Sequence, residues 1–167
     1  RRLETSVSAI DSTPQTAVCL IDTSVFVEIL NVPVKAQQHM DIVQRLGERI
    51  KAGETLFLPM ATIFETGNHI GQNGDGGARR ACATRFVEQV DAALKGSSPF
   101  RPISFLQAEQ MGEWLREFPD HASRGSGLGD LSIVHDWQRL CALTRGRRVY
   151  IWSLDAHLAA YDQPPAI

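Results

Sequence analysis

Four acidic residues stand where strands are expected to end or helices to begin. Asp22 closes an apolar run typical of a buried strand, and Asp155 lies just beyond the last run of this kind. Glu65 falls in the first turns of a predicted helix, and Asp130 opens another helix after a glycine-rich stretch. Because strand ends and helix starts meet at one edge of a parallel α/β sheet, we expect these acids to converge there.

Converging carboxylates point to metal chemistry. They repel one another and resist ionising together, so a cluster without a cation should be destabilising. A hard divalent cation such as Mg²⁺ or Mn²⁺ takes oxygen ligands and removes that repulsion. Such an ion can also lower the pKa of a bound water and stabilise charge on a phosphate. The acids therefore predict a Mg²⁺ or Mn²⁺ site suited to phosphodiester hydrolysis.

Each acid, taken alone, also has a structural explanation. Asp22 and Asp130 could cap the helices that follow them, because aspartate is a favoured N-cap residue. Glu65 could be a solvated helix residue, and Asp155 could belong to a turn. These alternatives stay open at the level of the sequence.

The elements that would position the acids alternate along the chain. Apolar runs predict buried strands at 17–22, 55–59, 101–105 and 148–153. Amphipathic spacing predicts helices at 24–30, 36–52, 61–70, 78–95, 106–118, 130–144 and 156–161, with loops at 71–77 and 119–129. This order predicts an α/β fold of three layers, α/β/α, with a central parallel sheet of four to five strands.

The helical spacing also predicts which residues face the core. The expected inward residues are Met40, Val43, Leu46 and Ile50 in the second helix, Cys82, Phe86, Val90 and Leu94 in the fourth, Met111, Leu115 and Phe118 in the fifth, and Ile133, Val134, Trp137 and Cys141 in the sixth. The tryptophans are expected to fill core, and the three cysteines to be buried free thiols.

Length and composition predict one globular domain. The chain has 167 residues, and we assign 17–167 to a single domain and 1–16 to a flexible N-terminal extension or a remnant of expression. The first 16 residues lack the apolar middle of a signal peptide, and no apolar run reaches the ~20 residues of a membrane span. We therefore expect a cytoplasmic protein with no membrane partner. The net charge of −2 is less positive than usual for a nucleic-acid-binding protein, although two bound Mg²⁺ ions would move it to +2.

Four stretches of the chain resemble the acidic motifs of the PIN-domain family, in the order of that family. They are IDTSVFVEIL (21–30), LPMATIFETGN (58–68), GLGDLSIV (127–134) and WSLDAHL (152–158), so the resemblance covers nearly the whole folded chain. It implies a PIN-like domain and a metal-dependent endoribonuclease that hydrolyses single-stranded RNA. Catalysis and Mg²⁺ or Mn²⁺ binding would fall to Asp22, Glu65, Asp130 and Asp155, with Thr23, Ser24 and Ser153 as supporting hydrogen-bond donors. Ser153 stands where the family often has threonine, and it keeps the hydroxyl.

The resemblance also implies partners. Some members of the family are VapC-like toxins, so a small antitoxin protein and a homodimer are expected alongside the RNA substrate. Basic residues that could contact RNA phosphates are Arg79, Arg80, Arg85, Arg124 and Arg101, although a solvated surface explains them equally well.

Two other functions fit parts of the sequence. The first is a catalytically silent PIN-like module that binds or scaffolds. The second is a phospho-acceptor receiver, which would need a lysine after the last strand. No lysine follows Lys95, so we set the receiver aside.

Overall fold

The computed structural model describes residues 16–103 and 106–166, an α/β chain. Within these residues the elements, in chain order, are β1 (Val18–Ile21), α1 (Thr23–Ile29), α2 (His39–Lys51), β2 (Thr55–Leu58), α3 (Met60–Gln72), α4 (Gly76–Leu94), β3 (Phe100–Pro102), α5 (Ala108–Ser123), α6 (Leu128–Leu143), β4 (Val149–Trp152), α7 (Ala156–Ala159) and β5 (Asp162–Gln163). The predicted α/β alternation is confirmed.

The strands form one five-stranded sheet in the order β3-β2-β1-β4-β5. All neighbouring pairs are parallel except β4 and β5, which pair antiparallel. The four parallel strands match the prediction, whereas β5 was not predicted because a two-residue strand has no readable alternation. The chain moves outward from β1 to β3 and then crosses to β4 on the other side of β1. The β1–β4 boundary is therefore the topological switch point, where α/β sheets form a crevice for ligands.

The sheet is covered on both faces, since alternate residues of each strand enter different cores. Cys19 and Ile21 of β1 belong to one hydrophobic cluster, together with residues of α1, α2 and α4. Val18 and Leu20 belong to a second cluster, together with residues of α6. These layers agree with the predicted α/β/α arrangement. All three cysteines are buried free thiols, as expected.

The predicted inward face of α2 is wrong at three of its four residues; only Leu46 packs against the core. Met40 and Ile50 are 78% and 44% exposed, and Val43 is also exposed, whereas Ile42 is fully buried. The helix instead turns Arg49 toward β4, where its guanidinium lies 3.8 Å from the ring centroid of Trp152. A cation over an indole face is a favourable contact, so an arginine occupies a place that the apolar pattern assigned to a hydrophobic residue.

Two further helix faces are corrected. On α5 the buried residue is Trp114, while Met111 and Leu115 are exposed. On α4 the predicted Cys82 is buried and Phe86 and Val90 pack against the core, but Leu94 is 65% exposed and its neighbour Ala93 is buried in its place. The prediction for α6 is confirmed: Ile133, Val134 and Cys141 are buried and Trp137 packs against them.

Both predicted loops are shorter than expected. Helix α3 continues to Gln72, and Asp75 caps α4 by accepting a hydrogen bond from the Ala78 N–H at 2.9 Å. Helix α5 continues through Pro119 to Ser123. Proline and glycine usually end helices, yet α3 includes Gly71 and α5 includes Pro119.

The ends of the chain and its helices complete the description. Of the predicted extension at 1–16, residues 1–15 lie outside the described part, and Thr16 accepts hydrogen bonds from Arg147. The last two residues predicted for β3, at 104 and 105, also lie outside it. None of the helices within 16–103 and 106–166 has the length and hydropathy needed to cross a bilayer.

Candidate active site

The four predicted acids line one cleft. It has a volume of about 340 Å³ and lies at the carboxyl ends of β1 and β4, at the switch point of the sheet. Its acidic lining consists of the predicted Asp22, Glu65, Asp130 and Asp155 together with Glu28, which was not among the predicted site residues. Residues separated by more than a hundred positions are thus brought together, as predicted from strand order.

Asp22 is the most enclosed of these acids. Strand β1 ends at Ile21, so Asp22 is the N-cap of α1 rather than the last strand residue. Its Oδ2 accepts hydrogen bonds from the Ser24 N–H at 3.1 Å, the Ser24 hydroxyl at 2.7 Å and the Ser153 hydroxyl at 2.9 Å. Three hydrogen bonds therefore hold the side chain, and the residue is only 5% exposed. The expectation that Asp22 caps a helix is confirmed, and the hydrogen bonds to Asp22 use only Oδ2.

Both predicted supporting serines bridge β4 to α1. The Ser24 hydroxyl accepts from the Leu154 N–H at 2.9 Å, and the Ser153 hydroxyl accepts from the Asp155 N–H at 3.0 Å. Each serine thus receives a backbone N–H from the segment after β4 and donates its own proton to Asp22. This arrangement fixes where Asp155 stands relative to Asp22.

Glu65 enters the cleft from α3. The Thr23 hydroxyl donates to its Oε2 at 2.9 Å, so Thr23 has the supporting role predicted for it. Helix α3 is held against β1 by the buried Thr62, whose hydroxyl donates to the Ile21 carbonyl at 2.8 Å. Burial raises the pKa of Glu65, the Thr23 hydrogen bond opposes the rise, and the charges of Asp130 and Asp22 add to it. The mutual repulsion of the acids is thus a feature of the cleft.

Asp130 and Asp155 complete the acidic wall. Asp130 lies in the first turn of α6, where its Oδ2 accepts from the Gly127 N–H at 3.2 Å and the Ser126 hydroxyl at 3.4 Å. Asp155 is the N-cap of α7, and its Oδ1 accepts from the His157 N–H at 2.8 Å. Asp130 therefore stabilises a helix start, in line with its structural alternative, whereas Asp155 caps a helix where the alternative was a turn.

One pattern is common to all four carboxylates. Each accepts hydrogen bonds through a single oxygen, and within the described residues no hydrogen bond engages the other oxygen. Across the same ranges none of the four forms an ion pair with Lys, Arg or His. Half-buried carboxylates without a positive partner are costly. Oxygen atoms in this state suit a hard divalent cation.

The acids do not form a closed coordination sphere as they stand. Within the described ranges, no three His, Cys, Asp or Glu side chains lie close enough together to hold a metal ion. The donor chemistry fits Mg²⁺ or Mn²⁺, whereas gathering three oxygens on one ion requires side-chain movement. Asp155 is exposed, and Glu65 is not fully buried, so these two have the freedom to move.

A strained loop brings a lysine to the cleft. Asn31 and Val34 both have positive φ, at 51° and 68°, in the segment between α1 and α2. The buried Glu28 holds the far end of this segment, since its Oε1 and Oε2 accept the N–H groups of Gln37 and Gln38, both at 2.9 Å. The segment places Lys35 in the lining of the cleft that also contains the acids. Strain of this kind persists only where surrounding contacts enforce it.

His69 also lines the cleft, one turn beyond Glu65 on α3. Its Nδ1 is buried and has no hydrogen-bond partner within the described residues. Burial lowers the pKa of His69, and the charge of Lys35 lowers it further. The imidazole is therefore neutral at neutral pH and can accept or donate one hydrogen bond. The other histidine near the acids, His157, does not line the cleft and packs edge-on against Tyr161 instead.

The predicted RNA-binding arginines are not part of this cleft. Arg85 donates to the Leu30 and Asn31 carbonyls, so it holds the end of α1. Arg79 and Arg80 are exposed on α4, and Arg124 ends α5. Arg101 lies on β3. Their contact with RNA stays a prediction.

The sequence reading missed Glu28, Lys35 and Asp136. Glu28 and Asp136 are 2% and 6% exposed. Glu28 stands inside an apolar run, VFVEIL (25–30), and a charged residue in such a run is the signal that would have marked it. Asp136 has polar neighbours in the sequence and no such signal. Lys35 carried no such signal, because its role depends on the path of a loop.

Comparison of the chain with protein-family models, with curated proteins and with solved structures found no significant match.

Proposed function

We propose that this chain is a PIN-like, metal-dependent endoribonuclease that hydrolyses phosphodiesters of single-stranded RNA. The observation that carries the proposal is the common state of the four acids. They line one cleft, each keeps one oxygen free of hydrogen bonds, and none has a positive partner within the described residues. A phosphodiester is the substrate for which such a site is suited, because divalent ions stabilise charge on phosphoryl oxygens.

Asp22, Asp130 and Asp155 would hold one or two Mg²⁺ or Mn²⁺ ions, with Glu65 helping directly or through water. When bound, the ion supplies a water of lowered pKa and stabilises negative charge on the phosphate. The two serines hold Asp22 through Oδ2 and leave Oδ1 available to a metal ion. Thr23 orients Glu65 in the same way.

Lys35 is suited to hold the substrate phosphate. Among the described residues that line the cleft it is the only lysine or arginine. A lysine contact of this kind positions RNA without reading its bases. The neutral imidazole of His69 lies beside it and is suited to a hydrogen bond with a phosphate oxygen or the leaving hydroxyl.

The test is cleavage of an unstructured, end-labelled RNA by the wild type with Mn²⁺ and with a chelator. Asp22→Asn keeps the capping acceptor and removes the charge. We expect it to lower the cleavage rate by about 100-fold or more, since even residues that only hydrogen-bond to metal ligands are worth about 10–100-fold. Asp91→Asn, a surface acid paired with Lys95 on α4, is the matched control and should cleave normally. Cleavage in chelator, or wild-type activity in Asp22→Asn, would refute the proposal.

The alternative is a catalytically silent PIN-like module that binds or scaffolds. It predicts RNA retention in a mobility-shift assay without cleavage and no heat of Mn²⁺ binding in calorimetry. The free carboxylate oxygens favour the enzyme, because a scaffold has no need of unpaired acids.

A toxin role is part of the same proposal. An antitoxin would then be expected to cover the acidic cleft, and a homodimer would be expected in solution. Induced expression in a bacterial host should arrest growth for the wild type and not for Asp22→Asn. If both the wild type and Asp22→Asn arrest growth, the toxicity does not depend on the acidic cleft, and the toxin role proposed for this site is refuted.

A further inference from the structure

A second cavity adjoins the acidic cleft. It has a volume of about 390 Å³, within the range of ligand pockets, and it lies between α3, α5 and the start of α6. Glu65 lines both cavities, and Gly129 and Asp130 stand on either side of the boundary. A molecule bound to the acids through a phosphate would therefore have its neighbouring group at the mouth of this second cavity.

The walls of the second cavity suit a flat apolar group. Met60, Phe64, Met111 and Leu128 supply apolar surface, and Trp114 lies at the back. The Trp114 ring is stacked on His135 at 5.0 Å between centroids and 15° between planes, so its orientation is fixed. Unstacked bases of single-stranded RNA are commonly received on aromatic and apolar side chains in this way.

The charged side chains of the cavity are both carboxylates, and the remaining polar side chains, Gln107 and Ser132, can donate as well as accept hydrogen bonds. The Asp136 carboxylate is only 6% exposed and lines the cavity, and Glu65 stands at its edge. Arg139 pairs with Oδ1 of Asp136 at 3.3 Å but does not line this cavity. Within the described residues no lysine or arginine lines it, so it is unsuited to a phosphate. Carboxylates recognise the exocyclic amino groups of bases.

We propose that this cavity binds one unstacked nucleobase that carries an exocyclic amino group, next to the phosphate held in the acidic cleft. The inference rests on the proposed RNA hydrolysis and adds a base preference to it. Adenine and cytosine present an exocyclic amino donor to Asp136 or Glu65, whereas uracil presents a carbonyl oxygen where cytosine has its amino group. Substrates with adenine or cytosine beside the cleaved bond should therefore be preferred over uracil.

Neutral nucleosides test the cavity without metal and without cleavage. Adenosine, cytidine and uridine are titrated into isotope-labelled protein in chelator, and amide shifts are followed by NMR. We expect adenosine and cytidine to shift the amides around Met111, Leu128 and Gly129. Uridine should bind at least about fivefold more weakly, which is the value of one net hydrogen bond.

Two variants of α5 form a matched pair for this experiment. Met111 and Leu115 are both exposed apolar residues, 39% and 52%, and only Met111 lines the cavity. Met111→Glu should abolish the shifts, while Leu115→Glu, with the same added charge, should leave them unchanged.

The outcomes separate this inference from the proposed function. Equal binding of uridine, equal behaviour of the two variants, or shifts caused by N-acetyl-leucine amide but not by nucleosides would each overturn the base site. The last result would mean that the cavity takes an apolar side chain of a protein. Mn²⁺-dependent RNA cleavage is measured in parallel, so a wild type that cleaves RNA without base preference refutes the inference alone. Base-selective binding without any cleavage refutes the proposed function alone.

Discussion

At the scale of single residues, the position of Glu65 depends on Gly129. A Cβ built at Gly129 would lie 1.9 Å from Oε1 of Glu65, so only glycine leaves room for this carboxylate. The sequence marked GSGLGD as glycine-rich, but it gave no sign that one of these glycines faces an acid on another helix. Contacts of this kind arise from tertiary packing and have no local pattern.

Gly129→Ala should therefore separate activity from stability. The new methyl group displaces the Glu65 carboxylate, and we expect RNA cleavage to fall at least about tenfold, as for loss of a residue that hydrogen-bonds to a metal ligand. The thermal midpoint should stay equal or rise, because alanine favours a helix over glycine by up to about 1 kcal/mol. Cleavage rates and melting curves measure the two effects. Gly47→Ala, a helical glycine with no atom within 4 Å of its added Cβ, is the control and should keep full activity. Full activity of Gly129→Ala would contradict the assigned role of Glu65.

Asp136 provides a prediction about pH. Burial raises its pKa from 3.8 to about 6, and Arg139 opposes the rise. The folded state thus holds this proton more tightly than the unfolded state. The stability that the protonated form provides is complete below pH 4 and is lost as the pH rises through 6.

Asp136→Asn should remove this loss. The free energy of unfolding of the variant minus that of the wild type should increase between pH 4 and pH 7. The increase is about 3 kcal/mol at most, from 1.36 kcal/mol for each pKa unit. Urea unfolding at both pH values measures it. A difference that is the same at the two pH values would contradict the raised pKa.

At the scale of elements, the loop between α1 and α2 provides a test of substrate positioning. Glu28 fixes the loop and two residues with positive φ shape it, so Lys35 is held at the cleft. In Lys35→Gln we expect the KM for RNA to rise about five- to tenfold with little change in kcat, because a lost phosphate contact weakens binding uniformly. Steady-state kinetics measure both constants.

Lys51→Gln is the control for this experiment. Lys51 ends α2 and lies away from the cleft lining. Its replacement removes the same charge and should leave KM unchanged. If both variants raise KM equally, the effect of Lys35 is general electrostatics rather than a contact in the cleft.

The helices also mark how far the sequence could predict elements. Amphipathic spacing located α2, α4, α5 and α6, because the period of an apolar stripe is a local property. It failed for the inward face of α2, since Arg49 stacks on Trp152 and donates to the Tyr150 hydroxyl at 2.9 Å. The partner of a helix is a distant strand, so a period alone does not reveal which side that strand selects.

At the scale of the whole molecule, the meeting of the four acids could be predicted from topology. Parallel strands with helical crossovers bring strand ends to one edge, and that rule needs no knowledge of side chains. The hydrogen bonds that orient each acid lay beyond prediction. Thr23 to Glu65 and Ser153 to Asp22 span 42 and 131 positions. The sequence was therefore sufficient to predict which acids meet, whereas the hydrogen bonds that orient them could be seen only in the structure.

The central claim is that the acids of this cleft hold a divalent cation, and crystals soaked in Mn²⁺ test it most directly. We predict an anomalous peak in the cleft, about 2.0–2.3 Å from oxygens of Asp22 and of Asp130 or Asp155. In crystals of Asp22→Asn the peak should be lost or much weaker. The claim would be contradicted if crystals at saturating Mn²⁺ showed no anomalous peak in the cleft and the side chains of the four acids had the same positions as in this structure.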